Sequence, residues 1–162
     1  SFLGKLYRLS SPSASCAIAA ACCTNSRSNT VFTWIGKALA LAIHDRQLAE
    51  HGGGSGVRDE RLLDSALARP QQLHAYGEPV PDLADLAASL AFGVARNHPF
   101  VDGNKRVGAA AAVVFLNLND LCLNCTQDEY YALTLGVADS PISKEAATAF
   151  FQKHTIPTGS PQ

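Results

Sequence analysis

The segment from His98 to Gly108, HPFVDGNKRVG, gathers a histidine, a carboxylate, an amide and two cations in one short stretch. Pro99 disfavours helical dihedral angles at His98, so the preceding helix should end there and leave the imidazole at its terminus. A second helix is predicted just after Gly103, because the sequence continues without proline and with an apolar stripe. The first turn of that helix has unpaired backbone N–H groups, which attract anions. This spacing predicts a site that handles phosphate groups.

The side chains around this helix start fit the same chemistry. Asp102 can hold a divalent cation through one carboxylate, as magnesium sites on nucleotides usually do. Gly103 lets the backbone approach a ligand closely, and Lys105 and Arg106 add fixed positive charge. The alternative is that Asp102 is only a helix N-cap followed by ordinary surface cations. Arg96, in the last turn of the preceding helix, either faces the phosphates or interacts only with the dipole of its own helix.

These residues resemble the signature of the Fic/Doc family, HxFx(D/E)GNxRxxR in its adenylyl-transferring members, and six fixed positions agree through Arg106. Two departures point to the Doc, or death-on-curing, branch: Lys105 replaces a glycine and Ala109 replaces the final arginine. Gly103 departs from the best-known Doc form, which has alanine there. The resemblance extends over Thr33–His154 and implies a compact, all-α, Fic-type bundle with a central motif helix.

The resemblance also implies a role for each motif residue. His98 would be the general base on a hydroxyl of a target protein, since an imidazole accepts a proton near neutral pH. Asp102 would hold Mg²⁺, while Asn104 and the helix N-terminus would fix phosphate oxygens. Lys105 and Arg106 would neutralise the charge that develops as the phosphoryl group moves. The expected cofactors are ATP and Mg²⁺, and the cation-rich helix start and Arg96 would bind the nucleotide.

Lys105 bears on which reaction occurs. By the resemblance, a glycine at this position accommodates the α-phosphate beside the histidine, whereas a lysine favours the reversed nucleotide and presents the γ-phosphate. The product would then be a phosphoprotein. Doc-like proteins similarly phosphorylate a threonine of elongation factor Tu and thereby arrest translation. The alternative activity is adenylyl transfer of the Fic type, which Gly103 permits and Lys105 disfavours.

A toxin of this kind needs a restraint. The inhibitory motif of the wider family, [S/T]xxxE[G/N], does not occur in the sequence. The resemblance therefore implies a separate antitoxin whose disordered peptide folds as a helix into a groove of this domain. A second alternative follows, in which the domain is catalytically inactive and serves mainly to bind that antitoxin.

The positions of apolar residues, caps and breakers predict about six helices. Ala109–Ala112 should let a neighbouring helix pack closely against the motif helix, and Gln71–Pro79 is a candidate flap that holds a target segment. The other expected elements are a helix over Thr33–Glu50, a short helix over Asp59–Arg69 ended by Pro70, a loop over Pro70–Pro81, a helix from the Asp82 cap to Asn97, a helix capped by Thr126 with Glu129, and a last helix from the Ser143 cap to about His154.

Composition agrees with one domain over 31–154. The 162 residues are 47% hydrophobic and 17% charged, which suffices for a hydrophobic core. A net charge of −1 argues against direct nucleic-acid binding, and no run reaches the length of a membrane span, so a cytoplasmic protein is expected. Residues 1–30 are rich in serine, alanine and cysteine and are expected to be a non-native or disordered extension, with Val31 close to the natural start. Residues 155–162 are expected to be a disordered tail.

Other residues with possible chemistry have simpler interpretations. Cys122 and Cys125 have CxxC spacing, but zinc would need a second ligand pair, so packing at a helix end is favoured. Four histidines lack an acid or cysteine at ligand spacing and are expected to be surface or packing residues; they are His44, His51, His74 and His154.

Overall fold

The computed structural model describes residues 31–139, as backbone only from 135, and residues 144–158. The predictions for residues 1–30, for the Ser143 cap and for 159–162 lie outside the described residues. The elements in chain order are α1 (Lys37–His51), α2 (Glu60–Tyr76), α3 (Leu83–Asn97), α4 (Asn104–Leu118), β1 (Leu121–Leu123), α5 (Gln127–Asp139), α6 (Lys144–His154) and β2 (Thr155–Pro157). The all-α class is confirmed. No helix of the described residues is both long and apolar enough to span a bilayer.

The motif helix α4 lies at the centre of the bundle, as predicted. It packs along α3, which is flanked in turn by α2 and α6, while α1, β1 and α5 contact α4 from other sides. Ala109–Ala112 are all buried, so that small side chains line the closest helix contacts. At Gly108 the backbones of α4 and α3 approach even more closely, because a Cβ atom there would lie 2.6 Å from the carbonyl oxygen of Ala91. The site on α4 therefore rests on a tightly packed pair of helices.

Two predicted caps are confirmed by their hydrogen bonds. Asp82 accepts a bond from the Asp85 backbone N–H at 2.7 Å, and the Asp85 carboxylate accepts one from the Asp82 N–H at 3.2 Å. Glu129 and Thr126 form the same reciprocal arrangement at the start of α5. The bonds from Thr126 hold the pKa of the Glu129 carboxyl below its ordinary value.

The first helix begins four residues later than predicted, at Lys37. The reason is a side chain from the far end of α4. The Thr33 N–H donates to Asn119 Oδ1 at 2.9 Å, and Asn119 Nδ2 donates to the Thr33 carbonyl at 3.1 Å. These bonds hold the backbone at Thr33 outside the helix.

The second helix is where the prediction was wrong. It does not end at Pro70 but runs through it to Tyr76, and the loop before α3 covers only 77–82. Pro70 is buried, and the turn after it brings His74 against the ring of Phe32, with centroids 4.9 Å apart. The packing of half-buried Leu73 and His74 in this turn compensates for the backbone hydrogen bond that Pro70 cannot make. The predicted flap Gln71–Pro79 is therefore mostly helix.

A small antiparallel sheet was not predicted. Leu121–Leu123 pair with Thr155–Pro157, and Thr158 N–H donates to the Asp120 carbonyl at 2.9 Å. The expectation of a disordered tail therefore does not hold for Thr155–Pro157. Three residues are too few to show the alternation by which a strand is recognised.

Candidate active site

His98 lies at the junction of α3 and the motif loop, as the proline after it predicts. It is the C-cap residue of α3, with left-handed dihedral angles of φ 48° and ψ 53°. Its side chain is exposed, while the next two residues, Pro99 and Phe100, are buried. The loop thus anchors itself through two apolar side chains and presents the imidazole to solvent.

Asn104 holds the shape of this loop. Its Oδ1 accepts a hydrogen bond from the Phe100 N–H at 2.8 Å, and its Nδ2 donates to the Phe100 carbonyl at 3.0 Å. The side chain is only 7% exposed. Its predicted contact with phosphate oxygens stays a prediction; in the structure, Oδ1 and one N–H of Nδ2 bind the backbone. Asn104 therefore acts as a clamp on the loop.

The motif loop is also bound on the side away from Asn104. The bonds come from the glycine-rich segment 52–56 and the residues just after it. The Arg58 and Asp59 N–H groups donate to the Pro99 carbonyl at 2.7 and 3.1 Å. Val101 N–H donates to the Gly56 carbonyl at 3.1 Å. These backbone bonds fix the loop independently of α4, so both flanks of Phe100 are restrained.

Asp102 is exposed at the rim of the site. Its Oδ1 accepts a hydrogen bond from the Gly103 N–H at 2.6 Å. Its Oδ2 faces Gly53, where a Cβ atom would come within 2.5 Å of that oxygen. None of the ion pairs found among the described residues involves Asp102. An uncompensated carboxylate beside backbone without side chains fits a divalent cation, which prefers oxygen ligands.

Gly103, and not Asp102, is the N-cap residue of α4. It has φ 76°, in the left-handed region, and no side chain caps the helix there. The N-cap alternative considered for Asp102 is therefore not what the structure shows. The N–H groups of the first turn have no partners within the helix and carry its partial positive charge.

The predicted cations surround this helix start with different partners. Lys105 is half-buried and makes no ion pair among the described residues. Arg106 reaches the Gly52 carbonyl with Nη2 at 3.4 Å, so it also supports the glycine-rich segment. Arg96 is exposed and lies over the Phe92 ring, with its guanidinium carbon 5.6 Å from the centroid. The structure thus places Lys105 and Arg106 at the helix start. Arg96 instead contacts Phe92, a residue of its own helix.

His44 is a packing residue, in agreement with the sequence interpretation, but its contact with the motif loop was not predicted. His44, on α1, is 2% exposed, and its Nε2 lies 3.2 Å from the Asp102 carbonyl oxygen. A signal was present, because Ala40, Ile43, His44 and Gln47 follow the spacing of a buried helix face. The structure agrees with the surface or packing interpretation of the other histidines: His51 is exposed, His74 packs in an aromatic cluster, and His154 lies 3.2 Å from the Asn124 carbonyl.

Of the two cysteines at CxxC spacing, Cys125 has a packing role. Cys122 and Cys125 are free and half-buried. Cys125 packs against the small cluster of Ala109, Val113 and Tyr130, and burial raises the pKa of its thiol. No group of three potential metal ligands among histidine, cysteine and acidic side chains occurs in the described ranges.

Comparison with known proteins agrees with the motif. The profile of the Fic/DOC family matches residues 34–116. The chain is 52% identical over 73 residues to a protein named Toxin Doc from Mycolicibacterium smegmatis (strain ATCC 700084 / mc(2)155), across 44% of this chain and 55% of that protein. It is 33% identical over 103 residues to Protein kinase doc of Escherichia phage P1, across 64% of this chain and 80% of that protein. The match thus spans about half of the first relative and most of the second. This chain belongs to the Fic/Doc family, in its Doc branch.

Proposed function

We propose that the protein is a Doc-type toxin that transfers the γ-phosphoryl group of ATP to a hydroxyl of a target protein. The observation that carries the proposal is the arrangement of the motif loop. It presents an exposed imidazole, a carboxylate with one free oxygen and the cationic start of a buried helix on one short segment. The names of the two relatives, a toxin and a protein kinase, support the same reading.

The residues divide the work of the reaction. The His98 imidazole accepts the proton of the target hydroxyl while the hydroxyl oxygen forms a bond to the γ-phosphorus of ATP. The bond between the γ-phosphorus and the oxygen that bridges it to the β-phosphate breaks, and ADP leaves. Lys105, Arg106 and the α4 N-terminus bind the phosphates and stabilise the charge that develops on them. Asp102 would hold Mg²⁺, which when bound neutralises phosphate charge. Asn104 contributes by keeping the loop in shape.

The target we propose is a threonine of elongation factor Tu, with arrest of translation as the consequence. ATP and a translation factor both occur in the cytoplasm, so this function requires a cytoplasmic protein. The activity would be restrained by a cognate antitoxin that binds as a helical peptide in a groove of the domain.

The test is intact-mass analysis of elongation factor Tu after incubation with ATP, Mg²⁺ and the protein. A mass gain of about 80 Da corresponds to one phosphoryl group and is the expected result. His98→Ala should give no gain, because the hydroxyl then has no general base. The absence of any gain with the wild-type protein would contradict the proposed reaction on this target.

The same experiment decides the second candidate, adenylyl transfer. Gly103 permits it, because a glycine has no Cβ atom and leaves the helix start open where phosphate would bind, whereas Lys105 disfavours it. A gain of about 329 Da would establish it and would show that Lys105 does not set the nucleotide orientation.

A further inference from the structure

The buried imidazole of His44 makes contact with two residues of the motif loop. Its ring stacks on Phe100, with centroids 4.2 Å apart and an interplanar angle of 9°. Its Nε2 lies 3.2 Å from the Asp102 carbonyl oxygen. The histidine comes from α1, 58 positions earlier in the chain, so this contact joins a separate element to the site.

The chemistry of the contact fixes the state of the ring nitrogen. A carbonyl oxygen only accepts hydrogen bonds, so Nε2 must carry the proton and donate it. On the other side of the ring, Nδ1 lies 3.9 Å from a carboxylate oxygen of Asp45, which is itself exposed. A side chain without a donor at the Nε2 position would leave the Asp102 carbonyl unpaired in a part-buried place.

The bonded carbonyl belongs to the peptide group between Asp102 and Gly103. The N–H of the same peptide group donates to Asp102 Oδ1 at 2.6 Å. His44 therefore holds the plane of this peptide by donating to the peptide oxygen. The peptide N–H in turn holds the Asp102 carboxylate by donating to Oδ1. This leaves Oδ2 facing the open backbone at Gly53.

We infer that His44 is a positioning residue that orients the Asp102 carboxylate for a divalent cation through the Asp102–Gly103 peptide. The inference rests on the proposed function in that Asp102 is the cation ligand there. Residues that orient a metal ligand from behind typically change metal affinity 10- to 100-fold when they are removed.

The test uses a matched pair of variants of the full chain. His44→Phe keeps a ring to stack on Phe100 but has no donor, whereas His44→Gln places an amide N–H near the Nε2 position. Two quantities are measured for each: the hydrogen-exchange rate of the Gly103 amide by NMR, and the affinity for Mn²⁺ with a non-hydrolysable ATP analogue. Asp102→Asn identifies the part of the Mn²⁺ binding that depends on the carboxylate.

The expected result for His44→Phe is a Gly103 amide that exchanges about tenfold faster and a Mn²⁺–nucleotide affinity that is at least about tenfold weaker. His44→Gln should recover both values to within about threefold of wild type, since it restores the donor. If His44 had only a structural role, both variants would lose thermal stability, and their Mn²⁺–nucleotide affinities would not differ from each other. If His44→Phe fails to fold, His44→Asn takes its place, because its amide is too short to reach the carbonyl.

Two results would overturn the inference. One is a His44→Phe protein with wild-type exchange and affinity; the other is an equal loss in the Phe and Gln variants, which would assign the effect to packing. If the wild-type protein shows no Mn²⁺ binding that Asp102→Asn removes, the metal role in the proposed function fails. The Gly103 exchange rates then still decide whether His44 sets this peptide.

Discussion

Asn104 shows how one side chain supports the shape of the motif loop. Its amide satisfies both the N–H and the carbonyl of buried Phe100, so that the backbone turns between His98 and Gly103 without an unpaired buried group. Leaving such groups unpaired costs about 1–3 kcal/mol. Because the same turn carries His98 and Asp102, this amide supports the geometry of the site together with the backbone bonds from Gly56, Arg58 and Asp59.

Asn104→Ala should therefore lower the free energy of unfolding by about 2–4 kcal/mol, since it leaves a buried donor and a buried acceptor without partners. Urea denaturation measures this change. Asn117→Ala, on the same helix at a half-buried position, is the matched control and should cost less. Equal effects of the two substitutions would contradict the clamp role of Asn104.

Gly53 is the second residue with a predicted effect. At φ 126° and with a Cβ position 2.5 Å from Asp102 Oδ2, Gly53→Ala must displace either the backbone or the carboxylate. We expect the affinity for a Mg²⁺–nucleotide complex to fall about tenfold or more, as when a ligand loses its orientation. Isothermal titration calorimetry with a non-hydrolysable ATP analogue measures it.

Gly52→Ala provides the control for that experiment. Gly52 also has a positive φ, of 70°, but a Cβ atom there meets no atom within 4 Å. It should therefore lose some stability while keeping its nucleotide affinity. Similar losses of affinity in both variants would assign the effect to backbone strain and not to the carboxylate.

The motif residues could be identified from the sequence because their spacing is local, whereas their partners could not. His98 to Arg106 occupy one turn and one helix start, so that proximity follows from chain geometry. The partners of Asn104 and His44 are main-chain groups whose positions depend on how the loop folds back and how α1 packs. For His44, the helical spacing of apolar residues on α1 indicated that the side chain is buried. It did not indicate that the imidazole lies next to the Asp102 carbonyl.

Two glycines near the contact between α3 and α4, Gly108 and Gly93, differ in how well they should tolerate an added Cβ atom. Gly108→Ala would bring Cβ to 2.6 Å from the Ala91 carbonyl oxygen, which can yield only if a helix moves. Gly93→Ala meets Arg69 Cδ at 3.1 Å, and that flexible side chain can move aside. Overpacking costs about 1–3 kcal/mol, and the better helix propensity of alanine offsets about 1 kcal/mol.

We therefore expect Gly108→Ala to lower the free energy of unfolding by about 2 kcal/mol and Gly93→Ala to change it by less than about 1 kcal/mol. Urea denaturation of the two variants gives the comparison. A Gly108→Ala protein as stable as wild type would show that α3 and α4 separate easily, contrary to the rigid support inferred for the site.

Helices with local start signals were predicted well, while elements decided by tertiary packing were not. Asp82 and the Thr126–Glu129 pair each carry their own capping partner three residues away, so the sequence contains the whole interaction. Pro70 costs about 3 kcal/mol inside an isolated helix, and tertiary packing of Leu73 and His74 in the following turn favours the continuation of α2. The pairing of β1 with β2 depends on residues more than 30 positions apart.

In the whole molecule, the site and the small sheet lie at opposite ends of α4. The motif loop precedes Asn104, whereas β1 follows Leu118 after a short turn. A helix of 15 residues is about 22 Å long, so the two regions are coupled only through the bundle. The sheet should therefore contribute to stability without shaping the site.

Comparing a chain that ends at His154 with one that ends at Thr158 isolates this contribution. The shorter chain loses β2 and the bond from Thr158 N–H to the Asp120 carbonyl, and it uncovers the strand Leu121–Leu123, whose two leucines pack on the core. At about 1 kcal/mol for each backbone hydrogen bond, the loss should be roughly 2–3 kcal/mol in the free energy of unfolding. Nucleotide affinity, measured where both chains are folded, should stay within about twofold, because the Asn104 clamp and the Gly52–Gly56 contacts lie at the other end of α4. A shorter chain that is folded yet has lost its nucleotide affinity would mean that the far end of α4 does shape the motif loop.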